Sequence, residues 1–80
     1  MARQLRIEVT FLSTLQQVAG RNTTWLELPP GATIDRALAL LRERMPQFAG
    51  VEVVASINGM PGHRQQPLAA GDGLYLQPPG

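Results

Sequence analysis

The sequence predicts an α+β domain, a sheet of four to five strands packed on one main helix. Three observations carry this. Residues 5–11 alternate apolar and polar without a break, the mark of a half-buried strand. Ile34, Leu38, Leu41 and Met45 recur at helical spacing, with Ala37 filling the same stripe. Strand-like runs lie on both sides of that helix, and strands grouped around one helix make a two-layer structure. The 80 residues suit a single domain spanning 1–80, with a C-terminal tail at 77–80.

The elements follow in order. In the first strand Leu5, Ile7, Val9 and Phe11 face one way, and Arg6, Glu8 and Thr10 the other. From Leu12 to Ala19 the period changes: Leu12, Leu15 and Ala19 share a helical face, Val18 lies beside them, and Gln16 and Gln17 face out. Gly20 terminates this short helix. Thr23 to Leu28 is rich in β-branched and aromatic residues and reads as a second strand. Pro29-Pro30-Gly31 then turns the chain.

Thr33 is the expected N-cap of the main helix, and Asp35 places negative charge in its first turn. Arg36, Arg42, Glu43 and Arg44 lie off the apolar stripe, and Pro46 ends the helix. Val51 to Ile57 reads as a third strand, with Val51, Val53, Ala55 and Ile57 on one face. Asn58-Gly59 is a turn signal. Residues 60–66 hold at most a short edge strand, because Pro61 and Gly62 weaken it. Pro67 to Ala70 can form one turn, Gly71-Asp72-Gly73 breaks the chain again, and Leu74 to Gln77 is the final strand.

Composition narrows the function. The chain has no cysteine, which removes disulfides, thiolate metal sites and a cysteine nucleophile. All seven basic residues are arginine, so a lysine-dependent phosphate loop and Schiff-base chemistry are absent. A net charge of +1 is too balanced for an electrostatic nucleic-acid binder. No apolar run reaches the roughly 20 residues of a membrane span, and the N-terminus runs directly into strand alternation; a cytoplasmic location is expected. His63 is the single histidine and has neither a metal-ligand set nor a nucleophile beside it; a surface position in a turn accounts for it. Ser13, Ser56, Asp35 and Asp72 form no catalytic pattern. The expectation is a protein that is not itself an enzyme.

Three stretches resemble one family. Val9 to Gly20 is similar to a strand and short helix closing on Ala-Gly. Leu28-Pro29-Pro30-Gly31-Ala32-Thr33-Ile34 is similar to the family's approach to its main helix. Val54 to Gly59, Pro67-Leu68 and Gly71-Asp72-Gly73-Leu74-Tyr75-Leu76-Gln77-Pro78-Pro79 are similar to its ending. Together they resemble the ubiquitin-like β-grasp sulfur carriers of the MoaD/ThiS family, most closely the MoaD branch, the small subunit of molybdopterin synthase. The likeness runs along essentially the whole chain and implies a mixed sheet.

The resemblance also implies a mechanism. A MoeB-like adenylating enzyme of the ubiquitin-activating type uses ATP to adenylate the C-terminal glycine carboxylate. A sulfur donor system then converts it to a thiocarboxylate. In molybdenum cofactor biosynthesis a larger, MoaE-like synthase subunit receives the tail. The domain itself binds no cofactor, and neither nucleic acid nor membrane is a partner. On this reading Gly80 is the acyl-adenylate and thiocarboxylate position, and Tyr75, Leu76, Gln77, Pro78 and Pro79 form the partner interface.

The chemistry of the ending agrees. A carboxylate donates its acyl group poorly until its oxygen becomes a good leaving group, which adenylation supplies. Glycine allows close backbone approach to a catalytic centre. Pro78 and Pro79 favour an extended, pre-ordered stalk, reducing the entropy lost on insertion into a partner. Of Tyr75 and Leu76, one is expected to face the core and the other the open side of the sheet.

Two departures stand out. Gln16 replaces an arginine common in the family. Against a Pro-Pro-x-x-Gly-Gly ending, Gly80 follows Pro79 directly, about 10 Å short in extended chain. A truncated or processed tail, partners that accept a short tail, and a copy that no longer carries sulfur all remain open. So do a ThiS-like role in thiazole synthesis or another sulfur-transfer route, and a ubiquitin-like binding or regulatory module with a non-functional tail.

Overall fold

The first strand, β1 (Leu5–Phe11), has Ile7, Val9 and Phe11 wholly buried on one face, as its alternation requires. A computed structural model describes residues 4–79 of the chain. After β1 come the short helix α1 (Leu15–Ala19), β2 (Thr23–Leu28), the main helix α2 (Ile34–Arg44), β3 (Val54–Ile57), β4 (Met60–Pro61) and β5 (Gly73–Gln77). The strands lie in the order β2-β1-β5-β3-β4 in one mixed sheet. Only β1 and β5 run parallel; the other neighbouring pairs are antiparallel. With one main helix, this is the ubiquitin-like β-grasp architecture.

Two helix ends behave as their residues dictate. Gly20 closes α1 at φ 75° and returns its N–H to the Gln16 carbonyl at 2.9 Å. Thr33 caps α2, its hydroxyl accepting from the Arg36 N–H at 3.4 Å. The two preceding free donors of α2 are taken by the loop before β5: Ile34 N–H donates to the Gln66 carbonyl at 3.0 Å and Asp35 N–H to the Arg64 carbonyl at 3.0 Å. Residues 64–68 are thereby tied to the helix start, and Leu68 is buried there.

The core lies between the sheet and the helices. Ile34, Ala37, Leu38 and Leu41 of α2 are buried against Ile7, Val9, Leu26, Leu28, Leu74 and Leu76. Two boundaries differ from the sequence expectation, and one short turn is added to it. The first helix begins at Leu15 because Leu12 still donates to the Leu76 carbonyl at 2.9 Å, extending the sheet bonding of β1. β3 begins at Val54; Val51 and Val53 pack on the core from the preceding loop, where the Arg42 guanidinium holds the Val51 carbonyl at 3.1 Å. After α2, Pro46 starts a 3-10 turn, Pro46–Phe48, that brings Phe48 onto Phe11 with ring centroids 5.3 Å apart.

Candidate functional site, the central strand and its tail

β5 is the middle strand of the five, paired with β1 on one side and β3 on the other. Gly73 to Gln77 are polar–apolar alternating, so Leu74 and Leu76 enter the core while Tyr75 and Gln77 point to the open face. Burying two leucines contributes about 1.5–3 kcal/mol each, which anchors the strand. The last register pair is Gln77 with Val54, and Gln77 is the final residue of β5, not the first of the tail. Pro78 and Pro79 have no N–H to continue a ladder, so the chain leaves the sheet there. Pro78 is half-buried and Pro79 exposed. Gly80 lies outside the described residues.

The expected interface residues therefore divide. Tyr75 is half-buried on the open face, and Gln77 and Pro79 are exposed. Leu76 is a correction: at 0% exposure it belongs to the core and presents no surface to a partner. Parity decides this, because Phe11 and Ala55, its neighbours in register, are both buried.

The open face holds further residues that the tail motif did not single out. Register places Thr23, Thr10, Tyr75, Ser56 and Pro61 in one row across all five strands. Trp25 and Val54 are exposed on this side, at 49% and 43%. The Arg6 guanidinium lies over the Trp25 ring, 4.6 Å from its centroid. Glu8 and Glu27 complete a mixed apolar and charged surface. The signal was present in sequence as apolar residues at polar parity: Leu26 and Leu28 claim the core face of β2, and Ala55 and Ile57 that of β3.

Among the described residues there is no cavity and no cluster of His, Asp or Glu suited to a metal. His63 is exposed in the loop between β4 and β5. The arrangement offers a surface and a tail.

No protein-family model and no curated protein matches the sequence. Solved structures do. The small archaeal modifier protein 1 of H. volcanii is 27% identical, over 95% of this chain and 99% of that one, with a TM-score of 0.86. A proposed molybdopterin converting factor subunit 1 from Pyrococcus furiosus is 22% identical, over 95% and 99% of the two chains, with a TM-score of 0.87. The ubiquitin of Caldiarchaeum subterraneum is 14% identical over 96% and 95%, with a TM-score of 0.67. With its strand order and its central final strand, the chain has the ubiquitin-like β-grasp fold, and it is similar in structure to small archaeal modifier proteins and to a proposed molybdopterin converting factor subunit.

Proposed function

We propose that this chain is a sulfur carrier, acting in the cytoplasm as the small subunit of molybdopterin synthase. The observation that carries the reading is β5: a strand bonded on both sides and anchored by Leu74 and Leu76, running out through Pro78 to an exposed Pro79. Such an anchor holds a tail in a constant direction, which lowers the ordering cost when a partner takes it. The likeness to the proposed molybdopterin converting factor subunit 1 supports the choice of pathway.

In this reading Gly80 is the reacting residue. Its carboxylate oxygen attacks the α-phosphorus of ATP on a MoeB-like adenylating enzyme, and pyrophosphate leaves. Hydrosulfide from the sulfur donor system attacks the acyl carbon, and AMP leaves as the terminal thiocarboxylate forms. A larger, MoaE-like subunit then receives the tail. The chain supplies no catalytic group and holds no cofactor; ATP belongs to the activating enzyme. Tyr75, Gln77 and Val54 form the docking face beside the tail, with Trp25 on the same face two strands away, and aromatic residues are enriched in interfaces generally.

The likeness to the small archaeal modifier protein 1 supports a second reading, a modifier attached to other proteins through the same activated carboxyl group. Intact mass spectrometry after incubation with ATP, the activating enzyme and hydrosulfide tests both. Exchange of one oxygen for sulfur at Gly80 is the result expected of a carrier. Conjugation to lysine-bearing proteins with no stable thiocarboxylate would favour the modifier. No adduct, with conversion of a control chain extended to end in Gly-Gly, would overturn Gly80 as the reacting position.

A further inference from the structure

At the start of β5, beside Tyr75, two turns are joined by a set of polar contacts. Asn58 and Gly59 connect β3 to β4, both in the left-handed region at φ 50° and 85°. The Asn58 side-chain amide donates to one Asp72 carboxylate oxygen at 3.2 Å, and its carbonyl oxygen accepts from the Gly73 N–H at 3.0 Å. The Asn58 N–H donates to the Gly73 carbonyl at 3.0 Å. The second Asp72 oxygen accepts from the Ala69 N–H at 2.8 Å. Both ends of the Asn58 amide are thus occupied, although the residue is exposed to water.

An asparagine followed by glycine is chemically vulnerable, because no side chain on the following residue hinders attack on the amide carbon. The attacking atom is the Gly59 backbone nitrogen. Ring closure expels the side-chain nitrogen and draws the amide oxygen out of its place. Both groups are held here, one by Asp72 and one by Gly73. In the folded protein the reaction must wait for the clamp to open.

We propose that Asn58 is a site of spontaneous deamidation gated by its clamp to Asp72 and Gly73, and that conversion loosens the start of β5. The Gly59 nitrogen loses its proton and bonds to the Asn58 side-chain carbon, ammonia leaves, and a cyclic imide forms. Water then opens the imide at either carbonyl, giving aspartate or isoaspartate; no oxidant or reductant takes part. The product sets a second carboxylate against Asp72 in place of a donor. Repulsion then acts on the residue that holds Ala69 and immediately precedes β5.

The test follows deamidation by peptide mass at mildly alkaline pH, in the folded protein, in the same protein in urea, and in folded Asp72→Ala. The urea-unfolded chain is expected to react fastest and the folded wild type slowest. Asp72→Ala should react about two- to tenfold faster than folded wild type, the ratio expected for losing one hydrogen bond from the closed state. Should that variant not fold, Asp72→Leu keeps a branched side chain of similar shape while offering the Asn58 amide no acceptor. In addition, the modified wild-type fraction, separated by charge, should show faster amide exchange at Ala69 and Gly73. Equal rates in folded and unfolded wild type would overturn the gate, as would a folded Asp72 variant reacting at the wild-type rate. Unchanged exchange at Ala69 and Gly73 would overturn the effect on β5.

Discussion

Phe48 shows how much a single residue outside the regular elements can carry. It is 1% exposed and stacks on Phe11, joining the turn after α2 to the end of β1. Phe48→Ala removes the whole ring and leaves a cavity, so a loss of about 3–5 kcal/mol is expected from urea unfolding. That is a large fraction of the total stability of a domain this size. Gly62 poses the opposite problem. A Cβ at that position would stand 2.6 Å from the Ile34 Cδ1 atom, beneath the start of α2. Gly62→Ala is expected to cost about 1–3 kcal/mol through overpacking, and a variant with unchanged midpoint would show that the Ile34 side chain moves aside without strain.

At the scale of elements, the two faces of β5 and β3 separate the core from the proposed docking surface. Leu76 is buried and Val54 is exposed, although they lie on adjacent strands one register step apart. Leu76→Ala is expected to cost about 2–5 kcal/mol by chemical denaturation. Val54→Arg is expected to change stability by less than about 0.5 kcal/mol. If the open face docks the activating enzyme, the same Val54→Arg change should slow adenylation at least about tenfold, as charge placed in the apolar part of an interface does. Adenylation at the wild-type rate would remove Val54 from the docking surface. The N-terminus of α2 is spoken for in a different way. Its free donors go to Thr33, Arg64 and Gln66, so the helix end secures the loop carrying His63 and leaves no open anion site there.

Across the whole molecule, the strand order makes the last strand the keystone. β1 pairs β2, and β3 pairs β4, but only β5 joins the two pairs. A chain ending at Asp72 would leave two separate ribbons, each with an unsatisfied edge, and two-stranded ribbons are marginal in water. Such a chain is expected to lack the dispersed amide spectrum of a folded protein. A folded spectrum from residues 1–72 would show that α2 alone holds the two ribbons together. The same topology couples the tail to the fold: the strand that leads to Pro78 and Pro79 is the strand the sheet cannot lose.

Much of this was readable from residue order. The period-two run in β1, the helical stripe of α2, the Thr33 cap and the Gly20 terminator each arise from neighbours in sequence, and all stand in the structure. That the last strand ends before Pro78 and Pro79 was likewise evident, because proline ends a ladder wherever it falls. Alternation placed one of Tyr75 and Leu76 inside and grouped Leu76 with Leu74, but which of the two faces meets the core is fixed by the pairing of the strand. Tertiary pairing settled it by setting Leu76 beside Phe11 and Ala55. The burial of Phe48, the exposure of Trp25 beneath Arg6, and the Asn58–Asp72 clamp have the same origin. Each depends on residues far apart in the chain, and periodicity reports which face a side chain takes within its own element, not what the fold brings against that face.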